Sequence, residues 1–141
     1  MSNARSRARR LAMQGLYEWH MSDNDPDSIL NACLLENRNR KVDVDYLSLL
    51  LRNIPKHVGD LDSQFAGFLD RKLSEIDPIE LAILRLATYE FKHCPDVPYK
   101  VVINEAIELA KTFGADQGHK FVNGVLDKLA PVLRSAEIKR R

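Results

Sequence analysis

A chain of 141 residues, 45% hydrophobic and 29% charged, has the length and composition of one soluble globular domain with a substantial core. A formal net charge of +1 excludes general affinity for polyanions, so any nucleic-acid binding has to come from local clustering. The apolar runs are too short for a membrane span, no secretory hydrophobic region opens the chain, and Cys33 and Cys94 lack metal-ligand spacing. These features predict reduced thiols in a cytoplasmic protein.

The first helix is predicted from about Ser6 to Met21. Ala4, Ala8, Leu11, Ala12, Gly15, Leu16 and Trp19 share its core face. On the opposite face Arg7, Arg10, Gln14 and Tyr17 follow one another at three- and four-residue steps, with Arg5 and Arg9 on the flank. No acidic residue precedes Glu18, so the cluster has no local neutralising partner. Arginines at a helix N-terminus oppose the macrodipole, a cost of a few tenths of a kcal/mol each, which suggests a use. Guanidinium forks suit phosphates, and Tyr17 offers a stacking face.

The turn-rich Met21–Asp27 segment leads to a short helix over Ser28–Asn37, with Ile29, Ala32, Cys33 and Leu34 or Leu35 inward. A polar, basic connection, Asn37–Lys41, precedes a helix capped by Asp43 or Asp45. Its buried set is Tyr46, Leu47, Leu50, Leu51 and Ile54, and Pro55 should kink or end it near Asn53. Another helix should start at Asp60 or Asp62 and end near Leu73, with Leu61, Phe65, Phe68 and Leu69 apolar. Asp77-Pro78-Ile79-Glu80 is a strong helix start, in which Glu80 either completes a capping box or is presented at an exposed helix end. The following LAILRLATYEF is apolar nearly all round, which predicts a helix buried on several sides.

Pro98 opens a helical hairpin. Its first helix carries Val101, Val102, Ala106, Ile107 and Ala110 inward and stops at a left-handed Gly114. Asp116 would cap the second helix, with Val122, Val125, Leu126 and Leu129 inward. Phe121 lies off that stripe, on the side of Gly124 and Lys128 and beside Lys120, a plausible docking surface. The tail, Ser135–Arg141, is basic and predicted to fray. The chain therefore reads as all-α, with about seven helices and no strand.

Catalytic and metal signatures are absent. There is no glycine-rich phosphate loop, zinc-helix motif or paired-cysteine site, and His20, His57, His93 and His119 are scattered. Asn104, Glu105 and Glu108 read as a solvated helix face, and general acid–base work would require a further group from another segment. The residues point away from an enzyme and call for neither cofactor nor metal.

Three motifs carry a resemblance over essentially the full length: RRLAMQGLYEW (Arg9 to Trp19), ELAILRLATYE (Glu80 to Glu90) and the long VPYKVVINEAIELAKTFGADQGHKFVNGVLDKLAP (Val97 to Pro131). On them the chain resembles the NusB family of bacterial transcription antitermination factors. The resemblance implies two packed three-helix subdomains in a single domain over 1–141, and no catalysis. It also implies binding of boxA RNA together with the ribosomal protein NusE, in a complex with NusA, NusG and RNA polymerase that acts on ribosomal RNA operons and in phage lambda systems. The family's arginine-rich N-terminus falls on Arg5, Arg7, Arg9 and Arg10, and its first-helix aromatic on Tyr17. Its acidic partner contact falls on Glu80, and its exposed aromatic on Phe121 beside Lys120. RNA contacts are thereby expected from Arg5, Arg7, Arg9, Arg10, Gln14, Tyr17, Lys120 and Phe121, and protein contacts from Tyr17, Glu80 and Phe121. On this reading the two ends of the chain come together around the Leu81–Phe91 helix. Ser6 interrupts the arginine run, Pro55 is unusual, and Gln117 and Gly118 stand where relatives often have an acidic residue and a serine. Two alternatives remain: an RNA-binding domain like that of some RNA cytosine methyltransferases, against which the lack of a methyl-donor domain weighs, and a self-associating homodimer with an occluded RNA face. Monomer and homodimer are both open.

Overall fold

The computed structural model describes residues 3–139, all in helices, turns and short links. Arg140 and Arg141 of the expected frayed tail lie outside the described residues. Two compact units, Met1–Val58 and Gly59–Arg141, divide the chain.

The first unit holds α1 (Asn3–Ser22), α2 (Pro26–Glu36) and α3 (Val44–Lys56), each packed on the other two. In α3 the buried set is Tyr46, Leu47, Leu50, Leu51 and Ile54, the predicted stripe. Asp43 is its cap: Oδ1 accepts from the Tyr46 N–H at 3.1 Å. Pro55 sits in the last turn, where one missing donor is cheap, so α3 runs on to Lys56. Helix α2 begins two residues earlier than predicted. Asp25 before Pro26 is extended (ψ 132°), which is the conformation of an N-cap, and its carboxylate accepts from the Ser28 N–H. Ile29 and Leu30 are buried there, Cys33 and Leu34 half-buried, and Ala32 and Leu35 exposed. Gly15 allows close helix approach, because a Cβ there would lie 2.7 Å from a Leu51 methyl and 3.2 Å from one of Ile29. Met13, absent from the predicted core face, is fully enclosed, whereas Trp19 is half-buried.

The second unit begins within α4 (Val58–Ala66) and continues through a 3-10 turn (Leu73–Glu75), α5 (Pro78–His93), α6 (Tyr99–Phe113), α7 (Gly118–Leu133) and α8 (Ser135–Lys139). Helices α5, α6 and α7 pack on one another pairwise, so each unit contains a three-helix core. Every residue of α5 from Glu80 to Phe91 is buried, as its all-round apolar pattern requires. Asp77 caps it with Pro78 in the first turn. Helix α4 stops at Ala66, well before Leu73. Gly67 follows, and the Phe68 and Leu69 N–H groups turn back onto the Phe65 and Ala66 carbonyls. Asp62 holds α4 to α5 through two 2.9 Å bonds from Arg85, a bidentate pair with little exposure on either side chain.

In the hairpin, Val122, Val125, Leu126 and Leu129 are buried as predicted. Ile103 and Leu109 are buried in α6, while Val101 and Ile107 are only half-buried. The link between the two helices differs from expectation. Gly114 is extended (φ −83°, ψ 175°), and the left-handed residue is Gln117 (φ 66°), which replaces Asp116 as the residue preceding α7.

The segment expected to fray is pinned by Arg134, buried at 7% exposure. Its guanidinium donates to the carbonyls of Phe91 (2.7 Å), Glu90 (3.0 Å), Cys94 (2.9 Å) and Val97 (2.9 Å), and to Glu137 Oε1 (2.6 Å). Glu137 Oε2 accepts from the Tyr99 N–H at the start of α6. The Glu90 and Cys94 carbonyls also accept from the Cys94 and Val97 N–H groups, so the guanidinium adds a second bond to each and supplies donors to the Phe91 and Val97 carbonyls, at a helix end where the dipole favours positive charge.

Candidate nucleic-acid interface

Two faces, one in each unit, gather the residues expected to bind. In the first unit the outer side of α1 carries Arg7, Arg10, Gln14 and Tyr17. Gln14 is exposed, and Arg7, Arg10 and Tyr17 are half-buried. Arg7 Nη1 donates to the Lys41 carbonyl at 2.6 Å, and its Nε is enclosed with no acceptor among the described residues. Arg5 is not unneutralised, as the first-helix sequence alone implies. Its Nε lies 3.3 Å from Asp43 Oδ2, and its guanidinium stacks 4.3 Å from the Tyr46 ring centroid. Asp43 thus serves two elements at once, capping α3 with one oxygen and holding α1 with the other. Arg9 departs from expectation. It is 1% exposed, with its guanidinium 5.4 Å from the Tyr46 ring, so it belongs to the packing beneath the face and cannot reach a ligand.

In the second unit Phe121 is half-buried on α7, with Lys120, Gly124 and Lys128 exposed around it. The surprise is Arg71, whose guanidinium stacks 4.2 Å from the Phe121 centroid. Asp70 orients it, accepting from Nε at 2.7 Å and Nη2 at 3.3 Å. That hydrogen bond lowers the Asp70 carboxyl from its usual range and raises Arg71. No periodicity marks Arg71, because it lies in a link between helices and meets Phe121 only through tertiary structure. A Cβ on Gly124 would find nothing within 4 Å, so this helix glycine serves no internal packing.

Glu80 is not at an exposed helix end. It is 3% exposed, and its carboxylate accepts from the Ala115 N–H at 3.3 Å, a bond across the unit instead of a capping box. Burial pushes its carboxyl up, and the Asp77 charge adds to this, while the Ala115 hydrogen bond and Arg71 pull the other way. Gly118 accounts for the fit: a Cβ there would collide with the Glu80 carboxylate, with Cδ only 2.8 Å away. The glycine that makes a weak helix start is the space in which Glu80 sits.

Among the described residues no helix is long and apolar enough to cross a membrane, and no group of three or more His, Cys, Asp or Glu is placed to hold a metal ion. The class defined by this architecture is an all-helical protein with three-helix cores and cation-and-aromatic faces. The NusB family model matches residues 6–131. A transcription antitermination protein NusB of Idiomarina loihiensis is 55% identical over 131 residues, covering 93% of this chain and 94% of that one. That of Nitrosococcus oceani is 48% identical over 141 residues, covering 100% and 95%. A solved structure of T. maritima NusB superposes with a TM-score of 0.85 at 30% identity, covering 99% of both chains. The chain belongs to the NusB family. Its relatives are named as antitermination factors, not as enzymes.

Proposed function

We propose that this chain is a transcription antitermination factor, a non-enzymatic cytoplasmic adaptor that binds boxA RNA in nascent transcripts together with NusE. On this reading it joins NusA, NusG and RNA polymerase in reading through terminators, notably on ribosomal RNA operons. Arg7 and Arg10 meet phosphates, Arg5 adds charge from the flank, and Gln14 and Tyr17 supply base-edge bonding and stacking. Lys120 and the Arg71-backed Phe121 contribute to RNA and protein binding in the second unit. Arg9 and Glu80 support these faces from within and make no contact of their own.

The observation that carries the reading is the Arg7–Arg10 side of α1, which no carboxylate among the described residues neutralises. The test is titration of fluorescent boxA RNA, with and without NusE, at several salt concentrations. Arg7→Ala with Arg10→Ala should weaken binding and flatten the salt slope by about 0.7 for each phosphate no longer neutralised. Wild-type affinity and slope in the double variant would sink it.

A further inference from the structure

The basic link between α2 and α3 reads NRNRKVD, Asn37 to Asp43, and neither the α1 stripe nor the Phe121 face includes it. It is held at both ends. At one end the Asn37 side chain donates to the Cys33 carbonyl at 2.8 Å and the Arg40 N–H closes a turn onto the Asn37 carbonyl. At the other, the Asp43 N–H donates to the Ala4 carbonyl at 3.1 Å, and Asp43 Oδ2 takes the Arg5 guanidinium. Between them, the Lys41 carbonyl accepts from Arg7. The link is therefore tied to the first two turns of α1 at three points.

Arg38, Arg40 and Lys41 are exposed, and no carboxylate among the described residues pairs with any of them. Asp43, the nearest acid in the link, is already engaged by Arg5. The Lys41 carbonyl accepts from Arg7, so the backbone of this basic link adjoins the cationic side of α1 within one unit. Like charges carried on a tied backbone repel one another, and a bound polyanion relieves that repulsion.

We propose that the Arg38–Lys41 link is a second phosphate-binding segment, one that holds the backbone of single-stranded RNA flanking the part met by α1. The proposal rests on the RNA-binding reading above. RNA fits better than an acidic protein surface because the link offers charge without an apolar or aromatic anchor, and phosphate contacts need only charge and donors. The link would add affinity without sequence discrimination.

The test compares Arg38→Gln, Arg40→Gln, Lys41→Gln together with Arg7→Ala, Arg10→Ala in the full chain. Each is titrated with boxA RNA of minimal length and with the same RNA extended on both sides by unstructured nucleotides. The triple variant retains the Lys41 carbonyl that Arg7 uses, and circular dichroism monitors folding. We expect the triple variant to lose about tenfold in affinity for the extended RNA at low salt, with a slope flatter by about 0.7 per phosphate released, and to lose less for the minimal RNA. A triple variant indistinguishable from wild type on the extended RNA, while the helix variant is weakened, overturns the link and leaves the α1 reading intact. Wild-type binding by both variants overturns both. Equal losses on the two RNAs overturn the flanking assignment.

Discussion

Arg134 and two arginines of α1, Arg7 and Arg10, are the same side chain put to opposite use. At the end of α5 every N–H direction of Arg134 has an acceptor, four carbonyls and the Glu137 carboxylate. On α1, Arg7 has one backbone acceptor and an enclosed Nε without one, and Arg10 has no carboxylate partner among the described residues. The contrast separates a guanidinium consumed by the fold from one left available to a partner. Burial runs the same way, with Arg134 buried and Arg7 and Arg10 half-buried, but charge does not separate them. The number of acceptors does.

The largest effect should come from the consumed arginine. Arg134→Ala takes the donor from the Phe91 carbonyl at the end of α5 and strips Glu137 of its counterion. Removing one member of such a network costs about 3–5 kcal/mol. Urea denaturation should show a lower midpoint with an unchanged slope. In the fraction that remains folded, boxA affinity should match wild type. A variant of normal stability would mean that the α5 end is held by packing alone. The α1 double variant should behave oppositely, lowering the denaturation midpoint only by the lost Arg7–Lys41 bond, far less than Arg134→Ala, and losing RNA.

That contrast is half legible in the sequence. Helical periodicity locates Arg7, Arg10, Gln14 and Tyr17 on one side of α1, and the α3 and α7 stripes, because these are local regularities of about 3.6 residues per turn. It says nothing of partners from distant segments. Asp43 reaches Arg5 across 38 positions, and Arg134 reaches Phe91 across 43. Arg9 shows the limit within one helix: periodicity places it on the flank, yet it is 1% exposed, with the Tyr46 ring of α3 among its neighbours. Likewise Asp-Pro at Asp25 and at Asp77 is the same signal, read as loop in one place and as a cap in the other. What differs is the apolar pattern that follows, weaker in α2. Gln117 in a left-handed conformation carries no signal in its side chain, since asparagine or glycine would be favoured there.

The second face allows a smaller but cleaner separation of stability from binding. Gly124 lies one helical turn from Phe121 and meets nothing internal, yet glycine inside a helix costs about 0.5–1 kcal/mol relative to alanine. Gly124→Ala should therefore raise the denaturation midpoint. If the Phe121 face receives a partner whose backbone comes close, the added methyl should weaken NusE binding in the presence of boxA RNA severalfold in calorimetry. Greater stability with unchanged complex formation would remove Gly124 from the interface.

The smallest effect lies at the opposite end of α5 from Arg134, where the buried charge is negative and poorly compensated. Glu80 has the Ala115 N–H and a distant Arg71 against its burial and the Asp77 charge, so its folded-state carboxyl titrates above the ordinary value of 4.5. A carboxyl that holds its proton more tightly when folded contributes stability that is present below the unfolded value. That contribution is lost as pH rises through the folded one. Glu80→Gln has no such proton to lose and retains an oxygen for the Ala115 N–H. The midpoint advantage of the glutamine variant over wild type should grow as pH rises from about 4 and level off once the wild-type carboxyl is ionised. An advantage constant across that range would mean that Glu80 is as well hydrated as a surface carboxylate. Gly118 would then have a different reason to be a glycine. A growing advantage would make Glu80 the counterpart of Arg134, a charge kept inside the second unit at a cost in stability, shaping the Ala115–Gly118 turn from which α7 and Phe121 extend.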